Sequence, residues 1–228
     1  MKTIDMLSDS RRYDMNSTAF DFLKNTTIYG MTAEAFSYSG DNIYDVGKML
    51  EAGVNVIQYR EKEKSGIEMY RQCIKIREMT AEAGARLIID DFTDLALAVG
   101  ADGVHIGQED MPIEAVRAIS PDNFIIGLST HSPEQALDAI KRGADYIGVG
   151  PIYETHTKKN VCAPVGLEYL DFVVQNTDIP FVAIGGIKEH NISEVFAHGA
   201  PCVCLVTDIV GSQDIPGKIR RLMALKNN

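Results

Sequence analysis

Four segments of the chain share one pattern, in which a helical stretch is followed by a glycine and then by a short apolar run. They read EAGVNVIQYR (51–60), AVGADGVHIG (98–107), KRGADYIGVG (141–150) and AHGAPCVCLV (197–206). Glycine ends a helix at low cost because it adopts a left-handed backbone without steric clash. An uninterrupted apolar run is typical of a parallel strand that is covered on both faces. The repeated pattern therefore predicts alternating helices and strands.

Further strand-like runs lie between these segments and bring the number of predicted strands to eight. The runs lie near residues 27–31, 54–59, 86–90, 103–107, 124–128, 145–149, 180–184 and 202–206. Helical patterns separate them, with apolar residues at i, i+3 or i+4 spacing over 67–84, 133–143 and 192–199. Pro112 and Pro133 stand at helix starts, and Ser132 is a natural N-cap.

Eight alternating strands and helices predict a single (β/α)8 barrel, the TIM barrel of the α/β class, over residues 26–228. A doubly wound open sheet is the lesser alternative. Residues 1–25 fall outside the repeated pattern and form an N-terminal extension. A barrel-bottom helix, an interface arm and a disordered segment are the alternatives for it.

Composition narrows the classes of function. The 228 residues include 22 Lys and Arg against 32 Asp and Glu, a net charge of −10, which argues against nonspecific binding of nucleic acid. No apolar run approaches the roughly 18 residues of a membrane span, and the N-terminus lacks the apolar core of a signal peptide. We therefore expect a cytoplasmic protein without a membrane partner, and a homo-oligomer is left open. The four cysteines include no CxxC pair and are expected to be buried, reduced thiols.

Polar side chains follow most of the predicted strands. In a barrel these positions share one rim, where the chemistry of such folds is found. The candidates that this rule selects are Gln58, Tyr59, Arg60, Glu61, Lys62, Asp90, Asp91, Asp110, Ser129, Thr155, His156, Thr157, Lys158, Gly186 and Thr207.

The carboxylates and cations at this rim predict an anion site that contains a metal ion. Asp90, Asp91 and Asp110 would repel one another unless a hard cation lay among them, and Mg²⁺ is usually held by one or two carboxylates together with substrate phosphates. Arg60, Lys62 and Lys158 would add fixed positive charge.

A second anion site is predicted where the strands near 180–184 and 202–206 end. Gly185 and Gly186 precede a helix, and in barrels the backbone of these loops commonly holds a phosphate. The rim therefore suits one metal-bound diphosphate and one monophosphate. Because metal-bound diphosphate is a good leaving group, the chemistry indicates transfer of an alkyl group from diphosphate to an acceptor.

Six motifs in order resemble those of the thiamine phosphate synthase family, also called the thiamine-phosphate pyrophosphorylase family, which has a related thiazole tautomerase branch. The motifs are QYREK (58–62), IIDD (88–91), ADGVHIGQEDMP (101–112), GLSTH (127–131), GPIYETHTKK (150–159) with APVG (163–166), and VAIGGI (182–187). The resemblance covers roughly residues 26–210. It implies condensation of hydroxymethylpyrimidine diphosphate with a thiazole phosphate, which gives thiamine phosphate and pyrophosphate with Mg²⁺ as cofactor.

The resemblance also implies a role for each matching residue. Asp91 and Asp110 fall where the family binds Mg²⁺. The residues expected to act on the pyrimidine diphosphate are Gln58, Arg60, Lys62, Ser129 and Lys158, and all of these except Gln58 are the predicted catalytic residues. The positions that match thiazole phosphate binding are Thr155, Thr157, Gly186, Val206 and Thr207. Tyr59, Glu61, Asp90 and His156 complete the predicted substrate-binding set.

The family reaction is dissociative: diphosphate leaves first, and the thiazole nitrogen attacks the pyrimidine cation that remains. Such chemistry needs no side-chain nucleophile, which fits the absence of a Cys/His or Ser/His/Asp arrangement in the sequence.

Three residues depart from the family pattern. Asp90 stands where an asparagine is usual, Phe92 where an arginine is common, and Thr207 where a serine is usual. The alternatives to a synthase are a tautomerase-like isomerase and a barrel that binds thiamine precursors or phosphates without turnover. The tautomerase would have no need of the diphosphate residues, and their presence favours the synthase.

Overall fold

The computed structural model describes residues 22–155, 157 and 162–227, and this part of the chain contains an eight-stranded parallel sheet with its strands in sequence order. The strands are β1 (Gly30–Met31), β2 (Val56–Tyr59), β3 (Arg86–Asp90), β4 (Gly103–Ile106), β5 (Ile125–Thr130), β6 (Tyr146–Val149), β7 (Phe181–Ile184) and β8 (Val203–Cys204). Each predicted strand is present.

The last strand meets the first, so the sheet closes on itself. Ile28 bridges Val203 in parallel, and hydrogen bonds of 2.9 and 3.0 Å join Tyr29 N to Val203 O and Val203 N to Thr27 O. Closure confirms the (β/α)8 barrel and removes the open-sheet alternative.

Helices follow the strands around the outside of the barrel. They are α1 (Asn42–Glu51), α2 (Gly66–Glu82), α3 (Thr93–Ala98), α4 (Ile113–Ile119), α5 (Pro133–Arg142), α6 (Gly166–Asn176), α7 (Ile192–Ala197), α8 (Val206–Val210) and α9 (Ile215–Ala224). The predicted N-cap is confirmed, because Ser132 Oγ accepts from Gln135 N at 3.3 Å. Pro112 is the N-cap residue of α4. Within the described residues, no helix combines the length and apolar character needed to cross a bilayer.

Alternation along the strands creates two cores. Side chains such as Ile57, Leu87 and Ile147 point outward and are buried beneath the helices. Their neighbours in the sequence, such as Val56 and Ile88, point inward and fill the barrel interior. Full burial of a branched aliphatic side chain stabilises the fold by about 1.5–3 kcal/mol, so both layers contribute strongly.

The barrel interior begins before the predicted boundary at residue 26. Phe22 and Leu23 are buried in the inner core, and the Phe22 ring meets the Tyr146 ring edge-on with centroids 5.3 Å apart. Thr26 Oγ1 donates to Phe22 O at 2.9 Å and fixes this turn against the barrel. The last residues of the predicted extension therefore belong to the barrel core, while residues 1–21 lie outside the described residues.

The cysteines divide by position. Cys202 and Cys204 are buried in the inner core, as predicted, and Cys73 is buried on the face of α2 that packs against the outer core. The expectation is wrong for Cys162, which is exposed because it lies in the loop between β6 and α6.

Replacing Phe22, whose ring fills one end of the barrel, tests whether the barrel core begins before residue 26. Phe22→Ala should lower the free energy of unfolding in urea by about 3 kcal/mol, because it removes a buried aromatic side chain and leaves a cavity. The control is Tyr38→Ala, since Tyr38 is 63% exposed and its loss should cost little. Equal effects of the two substitutions would show that Phe22 is not part of the core.

Candidate active site

A cavity of about 450 Å³ opens at the carboxyl ends of the strands. The structure brings nine of the predicted site residues to its wall: Gln58, Arg60, Asp90, Ser129, Thr155, Thr157, Gly186, Val206 and Thr207. His156 and Lys158 lie outside the described residues, so their predicted roles stay predictions.

The period of two along β2 decides which residues of the QYREK motif reach the cavity. Gln58 and Arg60 line it, and both are buried. Tyr59 points to the helices instead, where its hydroxyl donates to Gln72 Oε1 at 2.7 Å. Glu61 Oε1 accepts from Glu34 N at 2.9 Å and so braces the loop after β1. The structure does not bring Tyr59 or Glu61 to the cavity, and we leave both out of the proposed site.

Asp90, the unusual residue of this site, is held by two cations. Its buried carboxylate lies 3.5 Å from Arg60 Nε and 3.0 Å from Lys62 Nζ. A buried carboxylate this close to an anionic ligand would repel it, but here it is paired with two cations, one of which, Lys62, also pairs with Asp91. With Asp91 included, the cluster carries no net charge. A cation held by Asp91 would make this wall positive toward an anion.

Asp91 and Asp110 are neighbours at the ends of β3 and β4. Asp91 adopts a left-handed backbone with φ of 62°, and its carboxylate contacts Lys62. Asp110 accepts from Gly107 N at 2.6 Å. Burial raises the pKa of the Asp110 carboxyl, and the nearby charge of Asp91 raises it further. This repulsion is what a bound cation would relieve.

The predicted metal site has two carboxylates from the protein, Asp91 and Asp110. Within the described ranges, no group of three or more His, Cys, Asp or Glu side chains could hold a metal ion. Two carboxylates suit Mg²⁺ nevertheless, since this ion keeps several waters and takes further oxygens from substrate phosphates. The Lys62 ammonium between Asp90 and Asp91 marks the place as one that favours positive charge.

A second part of the cavity wall is built from the ends of β7 and β8. Gly185 and Gly186 have φ values of 95° and 65°, a conformation that favours glycine. A Cβ on Gly186 would lie 2.5 Å from Glu154 O, so no larger residue fits. Asn191 fixes the loop, because its side chain accepts from Lys188 N at 2.6 Å and donates to Gly186 O at 3.2 Å.

Lys188 supplies the positive charge of this wall. Its Nζ donates to Thr207 Oγ1 at 2.6 Å, and both residues line the cavity. The nearby acids Glu189 and Asp208 pair with Lys218 instead, at 2.8 and 3.3 Å. Among the described residues, no carboxylate lies within ion-pair distance of Lys188, so its charge is available to an anionic ligand.

The candidate set omits several polar residues that line the cavity. Tyr29, His105 and Tyr146 face inward from strands or their ends, and Lys188 follows the two glycines. His105 is buried and also reaches the cavity. The period of two along each strand would have selected the first three. Nothing in the local sequence separates Lys188 from an ordinary surface lysine.

Phe92, one of the three departures from the family pattern, is partly buried against the outer core. His131 lines the cavity, and its Nδ1 donates to Gly150 O at 2.5 Å.

Comparison with known proteins gives consistent matches. A family model described as thiamine monophosphate synthase matches residues 28–209. The chain is 60% identical over 203 residues to a thiamine-phosphate synthase of Pelotomaculum thermopropionicum, covering 89% of this chain and 93% of that one. It is 52% identical over 199 residues to a thiamine-phosphate synthase of Caldicellulosiruptor bescii, covering 87% and 91%. The solved structure of a thiamine phosphate pyrophosphorylase from Pyrococcus furiosus aligns with a TM-score of 0.82 at 36% identity, covering 90% of this chain and 97% of that one.

The ion pairs of Asp90 predict opposite effects on stability and on anion binding. Asp90→Asn should lower the free energy of unfolding by about 3 kcal/mol, because buried Arg60 loses its counter-charge. The same change should strengthen pyrophosphate binding several-fold, measured by calorimetry, because it removes one negative charge beside Arg60 and Lys62.

Asp102→Asn is the matched control, since the Asp102 carboxylate also accepts from two arginines, Arg77 and Arg86, each at 2.8 Å. Neither arginine nor Asp102 lines the cavity. This variant should lose stability without changing pyrophosphate binding. Weaker binding of pyrophosphate by Asp90→Asn would show that Asp90 contacts the ligand or its metal directly.

Proposed function

The chain belongs to the thiamine monophosphate synthase family, and we propose that its cavity joins a pyrimidine diphosphate to a thiazole phosphate. Its activity is that of a transferase, the synthesis of thiamine phosphate. The substrates that we propose are 4-amino-2-methyl-5-hydroxymethylpyrimidine diphosphate and 4-methyl-5-(2-phosphoethyl)thiazole. One observation carries the assignment: a single cavity has a cation and carboxylate wall on one side and a glycine and lysine wall on the other.

The proposed reaction exchanges one bond for another. The bond between the pyrimidine methylene carbon and the diphosphate oxygen breaks, and its electron pair leaves with diphosphate. The amino group of the ring donates electron density to the methylene cation. The thiazole nitrogen then gives its lone pair to that carbon and becomes quaternary, so no proton has to be removed at either atom.

Arg60, Lys62, Ser129 and Lys158 are the residues that we assign to the diphosphate. Arg60 is buried at the cavity wall, where a charge interacts more strongly with an anion than it would in water. Lys62 lies in the loop after β2 and contacts Asp90 and Asp91 at the end of β3. Together these residues stabilise the negative charge that collects on the leaving group, which is where electrostatic catalysis acts.

Asp91 and Asp110 are the residues that we propose as holders of Mg²⁺. When bound, Mg²⁺ supplies positive charge to the diphosphate oxygens. Asp110 is kept in place by the Gly107 backbone amide, and Asp91 by its hydrogen bond from backbone N to His105 O at 2.8 Å. The two carboxylates are therefore positioned by the strand ends rather than by flexible loop segments.

The monophosphate of the thiazole is assigned to the wall at the ends of β7 and β8. Gly186 and Thr207 present backbone and hydroxyl groups there, and Lys188 adds the charge. Thr155 and Thr157 lie on the adjacent loop with their hydroxyls 3.2 Å apart. Separate walls keep the two phosphate groups apart while the reacting carbon and nitrogen meet between them.

Apolar side chains complete the cavity and protect the cation. Met31, Val182, Ile184 and Cys204 line the interior between the two walls. A cation formed there is shielded from water, which would otherwise compete with the thiazole nitrogen. Positioning and charge stabilisation then supply the catalysis, with no covalent intermediate on the protein.

Incubation of the purified protein with both substrates and Mg²⁺ tests the proposal. We expect thiamine phosphate and pyrophosphate in equal amounts. Isomerisation of a thiazole carboxylate precursor without any condensation would identify a tautomerase. Binding of both substrates with no product at high enzyme concentration would identify a non-catalytic barrel.

Two variants separate the proposed walls. Lys188→Gln should raise the KM for the thiazole phosphate about 10-fold, because it removes a charged hydrogen bond while keeping a side chain that can reach Thr207. Asp91→Asn should instead raise the Mg²⁺ concentration needed for half-maximal rate about 10-fold. Each variant is the control for the other in steady-state kinetics. Loss of the same substrate's affinity in both variants would contradict two separate subsites.

A further inference from the structure

Five side chains form a continuous row of hydrogen bonds across the barrel interior, which we call the interior row. Gln58 Nε2 lies 3.1 Å from Tyr29 Oη, and Tyr29 Oη lies 2.8 Å from Tyr146 Oη. Tyr146 Oη lies 2.9 Å from His105 Nδ1, and His105 Nε2 lies 2.9 Å from Ser129 Oγ. The row therefore joins two residues of the diphosphate side, Gln58 and Ser129, through three residues that the proposed mechanism does not use.

The barrel makes room for this row. Its register places His105 beside Gly127 and Gly127 beside Tyr146. A Cβ on Gly127 would lie 2.2 Å from the Tyr146 ring and 2.5 Å from His105 Nδ1. Gly148 on β6 also faces the imidazole, at 3.3 Å from its Cε1. Two inward positions thus lack a side chain where the rings of His105 and Tyr146 meet.

Each hydroxyl of the row has one hydrogen to give. Burial raises the pKa of Tyr29 and of Tyr146 far above the usual tyrosine range, so both phenols are neutral. Tyr29 and Tyr146 are 2% and 1% exposed, so the row is their source of hydrogen bonds. Every member must therefore donate in one direction and accept from the other.

The direction follows from the amide of Gln58. Its Nε2 can only donate, so Tyr29 accepts from it and gives its own hydrogen to Tyr146. Tyr146 then gives its hydrogen to His105 Nδ1, which must be unprotonated. The proton of the neutral imidazole is on Nε2 and is donated to Ser129 Oγ. Reversing all of these bonds would require Gln58 to accept from Tyr29, which its Nε2 cannot do.

The two ends of the row consequently offer opposite groups to a ligand. Ser129 Oγ already accepts from His105, so its hydrogen is left to donate into the cavity that it lines. Gln58 Oε1 is buried, and no described residue donates to it. A buried acceptor without a donor is costly, and a ligand that donates there recovers that cost.

We propose that Tyr29, Tyr146 and His105 are positioning residues that fix Ser129 as a donor and Gln58 as an acceptor toward the pyrimidine substrate. The ligand class that fits is an amino-substituted heteroaromatic ring bearing a diphosphate: its amine donates to Gln58, and an acceptor atom of the same molecule receives the Ser129 hydrogen. This inference rests on the proposed function. The row itself is a property of the free protein and can be tested without turnover.

The protonation of His105 is the direct test. Nitrogen-15 NMR of the imidazole, assigned through His105→Asn, should show one neutral tautomer with the proton on Nε2 and none on Nδ1. In Tyr146→Phe the donor to Nδ1 is lost, and we expect a mixture of both tautomers. A mixture or an Nδ1-protonated ring in the unsubstituted protein overturns the proposal, and so does an unchanged tautomer in Tyr146→Phe.

Kinetics supply the second readout. Tyr146→Phe keeps the ring that fills the barrel and should raise the KM for the pyrimidine diphosphate about 10-fold, leaving the KM for the thiazole phosphate within about twofold. Tyr169→Phe is the matched control, because the buried Tyr169 hydroxyl donates to Thr130 Oγ1 at 2.6 Å but lies outside the cavity. It should lose comparable stability and change neither KM.

Tyr29→Phe provides a second break in the row if Tyr146→Phe fails to fold, and the same tautomer mixture and KM change are expected. Equal KM changes for both substrates, or the same change in Tyr169→Phe, would assign the effect to general loosening of the barrel. If the protein shows the single tautomer but has no synthase activity, the proposed function is wrong and the inference about the interior row still holds.

Discussion

Closure of the parallel sheet is the constraint on which the rest of the structure depends. Because all eight strands run the same way, each ends at the same rim, and the period of two sends alternate side chains inward. This geometry brings Arg60, Asp90 and Ser129 together although they come from three different strands. It also puts an apolar layer that includes Phe22 below the polar side chains of the interior.

Charge is distributed locally against the acidic character of the whole chain. The net charge of −10 would repel a diphosphate from a distance, but the groups nearest the ligand decide its affinity, since salt screens distant charges. On one wall Arg60 and Lys62 offset the charges of Asp90 and Asp91, and on the other Lys218 pairs with Asp208 and so leaves Lys188 for the ligand. Asp90, which alone would repel an anion, therefore holds the two cations of the anion site in place.

The barrel could be predicted from the sequence because local patterns determine it: apolar runs, helical periodicity and glycine at helix ends. The strand ends likewise identified much of the cavity wall. The structure turns two candidates away from the cavity. Tyr59 and Glu61 were selected as polar residues at the end of a predicted strand, but the Tyr59 hydroxyl donates to Gln72 and the Glu61 carboxylate accepts from Glu34 N. Lys188 and the partners of Asp90 depend on distances between different strands and loops, which no local pattern contains.

The central claim is that one cavity holds two separate anion subsites, only one of which needs a metal. Calorimetry with pyrophosphate and the thiazole phosphate tests it without turnover, since this pair cannot react. We expect pyrophosphate to bind only with Mg²⁺, the thiazole phosphate to bind with or without it, and each to bind when the other is saturating. Mutual exclusion of the two ligands, or an equal need for Mg²⁺, would contradict the account.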